Sequence, residues 1–185
     1  IQSGSPSPNE AYMELFIIID ALRRGSAKRI TAILPYYGYA RQDRKDQPRV
    51  PITARLIANL LEAAGADRVM TLDLHANQIQ GFFDIPLDHL RAEPIILKYI
   101  RDQHWANPIV VAPDTGGAKT AYGYSRKLGT GLAIVAKQRT GGDTVDAFSV
   151  VGDVKDHDVI MIDDMTATGG TLSAAAKMCR EKGAK

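Results

Sequence analysis

Val159-Ile160-Met161-Ile162 is an unbroken apolar run closed by an acidic pair, and short runs of this kind alternate along the chain with stretches of helical spacing. Apolar runs without polar alternation predict strands covered on both faces. Strands are expected at Arg29 to Leu34, Arg68 to Leu72, Ile109 to Ala112, Leu132 to Ala136, Ala147 to Val151 and Val159 to Ile162. Asn9 is expected to cap a helix running to about Arg24, with Gly25 just past its end. A second helix begins at Pro51 and stops at Gly65. Further helices fall at about Ala92 to Gln103, at about Lys119 to Leu128, and from Thr171 onward. Strands alternating with helices predict an α/β class with mainly parallel sheets. A link near Pro86 to Leu90 divides the pattern into two α/β units of similar kind, residues 1–86 and 87–185.

Composition adds mainly exclusions. With 45% hydrophobic residues, 24% charged residues and a net charge of +2, the chain can bury a core and carries no excess for general polyanion binding, so no nucleic-acid partner is expected. No apolar run approaches the roughly 20 residues needed to span a bilayer, no membrane partner is expected, and the start does not read as a signal peptide. Cys179 is the single cysteine, which rules out an intrachain disulfide and suits a reducing cytosol. Its neighbours Ala174, Ala175, Ala176 and Met178 favour a packing role.

Chemistry gathers where strands end, which is where open α/β sheets bind ligands. After Ile162 come Asp163 and Asp164, then Met165-Thr166-Ala167-Thr168-Gly169-Gly170-Thr171. Thr168 to Thr171 can turn backbone N–H groups and two hydroxyls inward at the positive end of a helix dipole, where a phosphate dianion is favoured. Asp163 and Asp164 could accept hydrogen bonds from two ribose hydroxyls or approach a cation. An acidic strand end with a ligand-free glycine turn is the plainer alternative. The loop Tyr36 to Arg49 interleaves Arg41, Arg44, Lys45 and Arg49 with Asp43, Asp46 and three tyrosines. Its cations suit phosphates, and equally a solvated mixed-charge turn; the interspersed aspartates disfavour a nucleic-acid patch. Asp73 and His75, one residue apart, can face a cation together. Asp114 precedes Gly116-Gly117, which permits close backbone approach to a diphosphate. Lys137-Gln138-Arg139 leads into Thr140-Gly141-Gly142-Asp143, cations on a glycine-rich loop that could close over substrates or form an ordinary hairpin turn. His89, His104 and His157 have no comparable partners and read as surface or packing residues.

Taken in order, Tyr36 to Lys45, Asp73 to Pro86, Pro113 to Ala118 and Asp163 to Thr171 resemble the ribose-phosphate pyrophosphokinase family, whose product is phosphoribosyl diphosphate (PRPP). The resemblance covers essentially the whole chain. It implies two phosphoribosyltransferase-like, three-layer α/β/α units, with further strands before Ile1 and a substantial segment after Lys185, so each sheet is expected to be partial. It implies transfer of a diphosphoryl group from ATP to ribose 5-phosphate, Mg²⁺ as cofactor, a cytoplasmic location, and a homo-oligomer in which dimers assemble into rings such as hexamers.

The same resemblance assigns roles by position. Arg41 and Gln42 become ATP-binding residues, with Asp43, Arg44, Lys45 and Asp46 nearby. Lys137 and Arg139 become catalytic, stabilising the transferring group. Asp163, Asp164, Ala167, Thr168, Gly169, Gly170 and Thr171 become the ribose 5-phosphate loop. His75 and Asp114 contribute to Mg²⁺ binding, and Asp73, Asp84 and Asp88 belong to the motif sometimes assigned to metal. Ala167 stands where family loops commonly carry a second acidic residue. Two other functions stay open: a non-catalytic regulatory subunit associated with the synthetase, and a nucleobase phosphoribosyltransferase, which would have no use for the Arg41-Gln42 loop or for Asp73-Leu74-His75. No Gly-Lys-Ser/Thr phosphate loop is present.

Overall fold

The structure is a computed structural model that describes residues 1–4, 7–138, 147–166 and 168–185. The chain divides into two compact units, Ile1–Ala92 and Glu93–Lys185. The first contains α1 (Pro8–Arg24), β1 (Thr31–Leu34), α2 (Thr53–Ala64), β2 (Arg68–Leu72), a 3₁₀ turn (Asn77–Phe82) and β3 (Leu87–Leu90). The second contains α3 (Glu93–Asp102), β4 (Pro108–Ala112), α4 (Ala118–Leu128), β5 (Gly131–Gln138), β6 (Ala147–Val151), β7 (Asp158–Met161) and α5 (Gly170–Glu181).

In the first unit β1, β2 and β3 form a parallel sheet in that order. Ala32, Leu34 and Val69 point to one face and are at most 3% exposed, joining Tyr12, Leu15 and Ile19 of α1 and Ile57, Ala58 and Leu61 of α2 in one core. Fully burying such an aliphatic side chain contributes about 1.5–3 kcal/mol. Helix α1 starts with Ser7 as its N-cap residue and Pro8 in the first turn, so Asn9 is not the cap. Proline there gives up an N–H that would be unsatisfied anyway, and the Asn9 side chain instead accepts a hydrogen bond from the Tyr39 hydroxyl. Helix α2 ends as the sequence suggests, at Gly65 with φ 113°.

The segment read as a link, Pro86 to Leu90, holds a strand. β3 pairs with β2 in the register Val69↔Leu87 to Leu72↔Leu90, which assigns it to the first unit and carries that unit on to Ala92.

In the second unit the strand order is β6-β5-β4-β7, with β4 parallel to both β5 and β7 and β6 antiparallel to β5. Alternate residues of β4 serve two cores. Val110 and Ala112 pack with Leu97 and Ile100 of α3 and Ala121 and Tyr124 of α4. Ile109 and Val111 pack with Ala175 and Cys179 of α5. Helices on both faces make this unit a three-layer α/β/α sandwich, and burial on both faces explains why its strands read as apolar runs.

Candidate functional site

The second unit places its chemistry at a topological switch point. From β4 the chain crosses through α4 to β5 on one side, while β7 lies on the other side of β4. Ligands of open α/β sheets bind outside the carboxyl ends of strands where the order reverses in this way. Asp114 follows β4 and Asp163 follows β7, and the N–H of Ile162 donates to the carbonyl of Val111 at 3.3 Å, holding the two strand ends together.

Each loop is then shaped by its own aspartate. The Asp114 carboxylate accepts the N–H of Gly117 at 3.0 Å, closing a turn just before α4. A Cβ on Gly116 would lie 3.2 Å from that carboxylate oxygen, so a side chain here would crowd the turn. Asp163 accepts the N–H of Asp164 at 2.9 Å. Burial first, then a side-chain hydrogen bond with Asp164 and the negative charges of Asp164 and Asp114, push the Asp163 carboxyl above its ordinary range. Asp114 and Asp164 thus lie near enough to Asp163 for their charges to be felt there.

After Asp164 the chain passes Met165 and Thr166 and enters α5 through Gly169, whose φ of 74° places it in the left-handed region that glycine adopts without steric cost. The Gly169 carbonyl accepts the N–H of Ser173 at 2.8 Å, and the Thr168 hydroxyl oxygen accepts that of Gly170 at 3.4 Å. Gly170 and Thr171 open the helix, where the dipole favours an anion. Ala167 lies outside the described residues, as do Arg139, Thr140, Gly141, Gly142 and Asp143. Lys137 belongs to β5 itself, in register with Phe148 of β6.

In the first unit the loop after β1 exposes Arg41, Gln42, Arg44, Lys45 and Asp46. Its base is fixed: the Tyr37 hydroxyl donates to the carbonyl of Ala54 at 2.8 Å, and the N–H of Ala54 donates to the carbonyl of Gln42 at 3.1 Å. Asp43 differs from its neighbours. It is 9% exposed and accepts from the Gln78 amide at 2.8 Å, so its visible role is to anchor the loop.

The acidic residues near His75 each have separate partners. Asp73 accepts the N–H of Ala92 with both oxygens, at 3.3 and 3.2 Å. Asp84 lies 3.6 Å from the Arg55 guanidinium, and its N–H donates to Glu62. Asp88, on β3, takes one nitrogen of Arg68 between its two oxygens at 2.7 Å. His75 is exposed at the end of β2. Among the described residues no group of three or more His, Cys, Asp or Glu side chains could hold a metal alone. His89 was the residue that sequence reasoning passed over: its Nε2 accepts the N–H of Leu74 at 2.9 Å. A lone histidine in a strand gives no sequence signal for that bond, because the contact depends on strand pairing.

A phosphoribosyltransferase-type α/β protein is what this fold and its acidic strand end define. Residues 1–65 match the N-terminal domain of ribose phosphate pyrophosphokinase, and residues 83–185 match the phosphoribosyl transferase domain. A ribose-phosphate pyrophosphokinase of Campylobacter jejuni is 52% identical over 185 residues, covering 100% of this chain and 60% of that protein. One of Agrobacterium fabrum is 55% identical over the same length, with 100% and 60% covered. The crystal structure of phosphoribosylpyrophosphate synthetase from Mycobacterium smegmatis superposes with a TM-score of 0.90 at 51% identity, covering 99% of this chain and 60% of that one. The chain belongs to the ribose-phosphate pyrophosphokinase family, and it spans about 60% of the length of these relatives.

Proposed function

We propose that this chain carries the substrate-binding parts of a ribose-phosphate diphosphokinase, which moves the β,γ-diphosphoryl group of ATP to the C1 hydroxyl of ribose 5-phosphate. The observation that carries this reading is the pairing of Asp163-Asp164 with the Gly169 turn opening α5, at the strand end next to Asp114. Kinship with ribose-phosphate pyrophosphokinases supports it. We assign nucleotide binding to the first unit, Ile1–Ala92, and ribose-phosphate binding to the second, Glu93–Lys185, each phosphoribosyltransferase-like.

Residues Thr168 to Thr171 hold the 5-phosphate at the start of α5, while Asp163 and Asp164 accept hydrogen bonds from ribose hydroxyls. Arg41 and Gln42 hold ATP, with Arg44, Lys45 and Asp46 alongside; Asp43 acts beneath them through Gln78. The C1 hydroxyl oxygen then bonds to the β-phosphorus and gives up its proton to solvent, the bond from that phosphorus to the α-phosphate oxygen breaks, and AMP leaves with PRPP as product. Phosphoryl transfer draws its rate from positioning and charge neutralisation, the parts we give to Lys137 and Arg139.

Mg²⁺ fits the donors present. Asp114 and Asp163 are hard oxygen donors of the class Mg²⁺ takes, an ion that keeps waters and binds through few protein ligands; among the described residues no three His, Cys, Asp or Glu side chains come together to hold a metal. By the resemblance His75, in the first unit, and Asp114, in the second, each contribute to Mg²⁺ binding, and Asp73, Asp84 and Asp88 belong to the motif sometimes assigned to metal. Bound there, Mg²⁺ supplies neutralisation of the diphosphate charge. The whole protein is taken to be a cytoplasmic homo-oligomer built from dimers.

The test is formation of AMP and PRPP from ATP and ribose 5-phosphate with Mg²⁺, on this chain and on a longer form matching the length of its relatives. Product from the longer form supports the reading. No product from either, with ribose 5-phosphate still bound, would favour a regulatory subunit or a nucleobase phosphoribosyltransferase.

A further inference from the structure

Strand β2 ends at Leu72, and the chain then turns sharply: Asp73 has a φ of 42°, and Leu74 folds back into the core at 6% exposure while His75 stays exposed. A buried backbone N–H needs a partner. That of Leu74 is directed to the imidazole Nε2 of His89, at 2.9 Å. His89 sits on β3, in register with Thr71 of β2, so the neighbouring strand reaches across to hold the turn. Two further bonds close the tie: the N–H of Asp73 donates to the carbonyl of Leu90 at 3.0 Å, and the Asp73 carboxylate accepts the N–H of Ala92.

We infer that His89 is a positioning residue, whose Nε2 fixes the Asp73-Leu74-His75 turn and thereby sets where His75 stands at the end of β2. The inference rests on the reading of His75 as part of the Mg²⁺ and ATP site. A nitrogen that accepts a hydrogen bond carries no proton, so the ring is the neutral tautomer with hydrogen on Nδ1. This separates the role from packing. A half-buried position on β3 would accept an apolar ring of similar size, but such a ring would leave the Leu74 N–H without its acceptor. The same geometry changes what Asp73 does: its carboxylate is committed to the far side of the turn, and it shapes the loop that carries His75.

The test compares His89→Phe, which keeps a ring and removes the acceptor, with His89→Gln, whose amide oxygen can stand near the Nε2 position. Hydrogen exchange at the Leu74 amide should be about tenfold faster in H89F, the effect of losing one hydrogen bond, and should return toward the unmodified rate in H89Q. The Val69 and Met70 amides inside the sheet should keep their rates, which separates a loosened turn from a loosened fold. Binding of ATP with Mg²⁺ should weaken about tenfold in H89F with the same bond and recover in H89Q. Unchanged Leu74 exchange in H89F overturns the inference, as does unchanged Mg²⁺-ATP affinity in a protein that binds it. Should the unmodified protein bind no ATP, the functional reading fails, while Leu74 exchange still decides whether His89 holds the turn. Should H89F fail to fold, the nitrogen-15 spectrum of the unmodified imidazole decides: a proton on Nε2 overturns the inference, and one on Nδ1 supports it.

Discussion

Asp43, in the loop after β1, accepts a hydrogen bond from the side-chain amide of Gln78, on the 3₁₀ turn after β2. The two loops that carry the candidate nucleotide and metal residues of the first unit are therefore joined by one bond between a buried carboxylate and an amide. Arg91 adds a second tie to the same turn through the side chain of Asn77, at 2.7 Å. The exposed cations of the first loop rest on this support.

Gln78→Leu should accordingly weaken the fold although Gln78 itself is exposed. The substitution leaves the Asp43 carboxylate buried without its amide donor, a loss of about 1–3 kcal/mol for a polar group stranded away from water. Urea unfolding followed by circular dichroism measures it; a midpoint equal to that of the unmodified chain would show that water replaces the amide freely.

Among the described glycines, Gly152 is the one whose replacement should do most harm. Its φ is 109°, and a Cβ there would lie 2.9 Å from the Cβ of Ala133, with backbone atoms of Ala133 and Leu132 at 3.0 Å. The strained backbone and the clash with β5 together should cost Gly152→Ala about 2 kcal/mol or more. Gly81→Ala is the control, since a Cβ at Gly81 meets nothing within 4 Å. Equal thermal midpoints for the two variants would contradict the packing described.

The legible and illegible parts of the chain differ in how local their causes are. Ile109 to Ala112 and Val159 to Ile162 read as strands because both faces of the sheet are covered, so every position is apolar. Leu87-Asp88-His89-Leu90 does not read so. Its two polar residues are tolerated because Arg68, on the adjacent strand, neutralises Asp88, and because His89 serves the Leu74 turn. Both partners lie at least 15 residues away in sequence, beyond any periodicity. The N-terminus of α1 was misplaced for another reason: asparagine is a common cap, and only the contact of Asn9 with Tyr39 shows what occupies its side chain. The candidate residues at strand ends were legible as types, because Asp, Gly and Thr after an apolar run make a recognisable turn. Their partners were not.

Cys179 faces the core from α5 at 2% exposure, and burial pushes its thiol up from the ordinary value. Since the thiolate is the reactive form, alkylation by iodoacetamide at neutral pH should be slow in the folded chain and become fast once urea unfolds it. Rapid labelling without denaturant would mean that α5 leaves the sheet readily.

Lys137→Ala addresses the assigned transfer chemistry. Lys137 is a residue of β5, two positions before Arg139 in the sequence, and truncating its side chain leaves the strand's backbone pairing possible. If the ammonium neutralises the transferring group, turnover of the longer form should fall on the order of 10³ or more while ATP affinity changes far less. Equal losses in both would make Lys137 a binding residue and remove it from the catalytic step.

Asp163 offers a case in which stability and binding should move in opposite directions. Its carboxyl is raised by burial and by the charges of Asp164 and Asp114, so the folded chain holds that proton more tightly than the unfolded chain does. The stability this contributes is fully present below the ordinary value of 3.8 and is lost as pH rises through the elevated folded value. At neutral pH the ionised Asp163 therefore opposes folding. Asp163→Asn removes the charge at nearly the same shape, and its side-chain oxygen can still accept the N–H of Asp164. The variant should melt at a higher temperature than the unmodified chain at pH 7, by a margin that narrows at pH 4. It should also bind ribose 5-phosphate more weakly, because a charged acceptor for sugar hydroxyls has become a neutral one. Scanning calorimetry at the two pH values, with and without ribose 5-phosphate, reads both effects. A lower melting temperature at pH 7 would mean that Asp163 is already neutralised by a partner in the fold, and unchanged affinity would remove it from the ribose site.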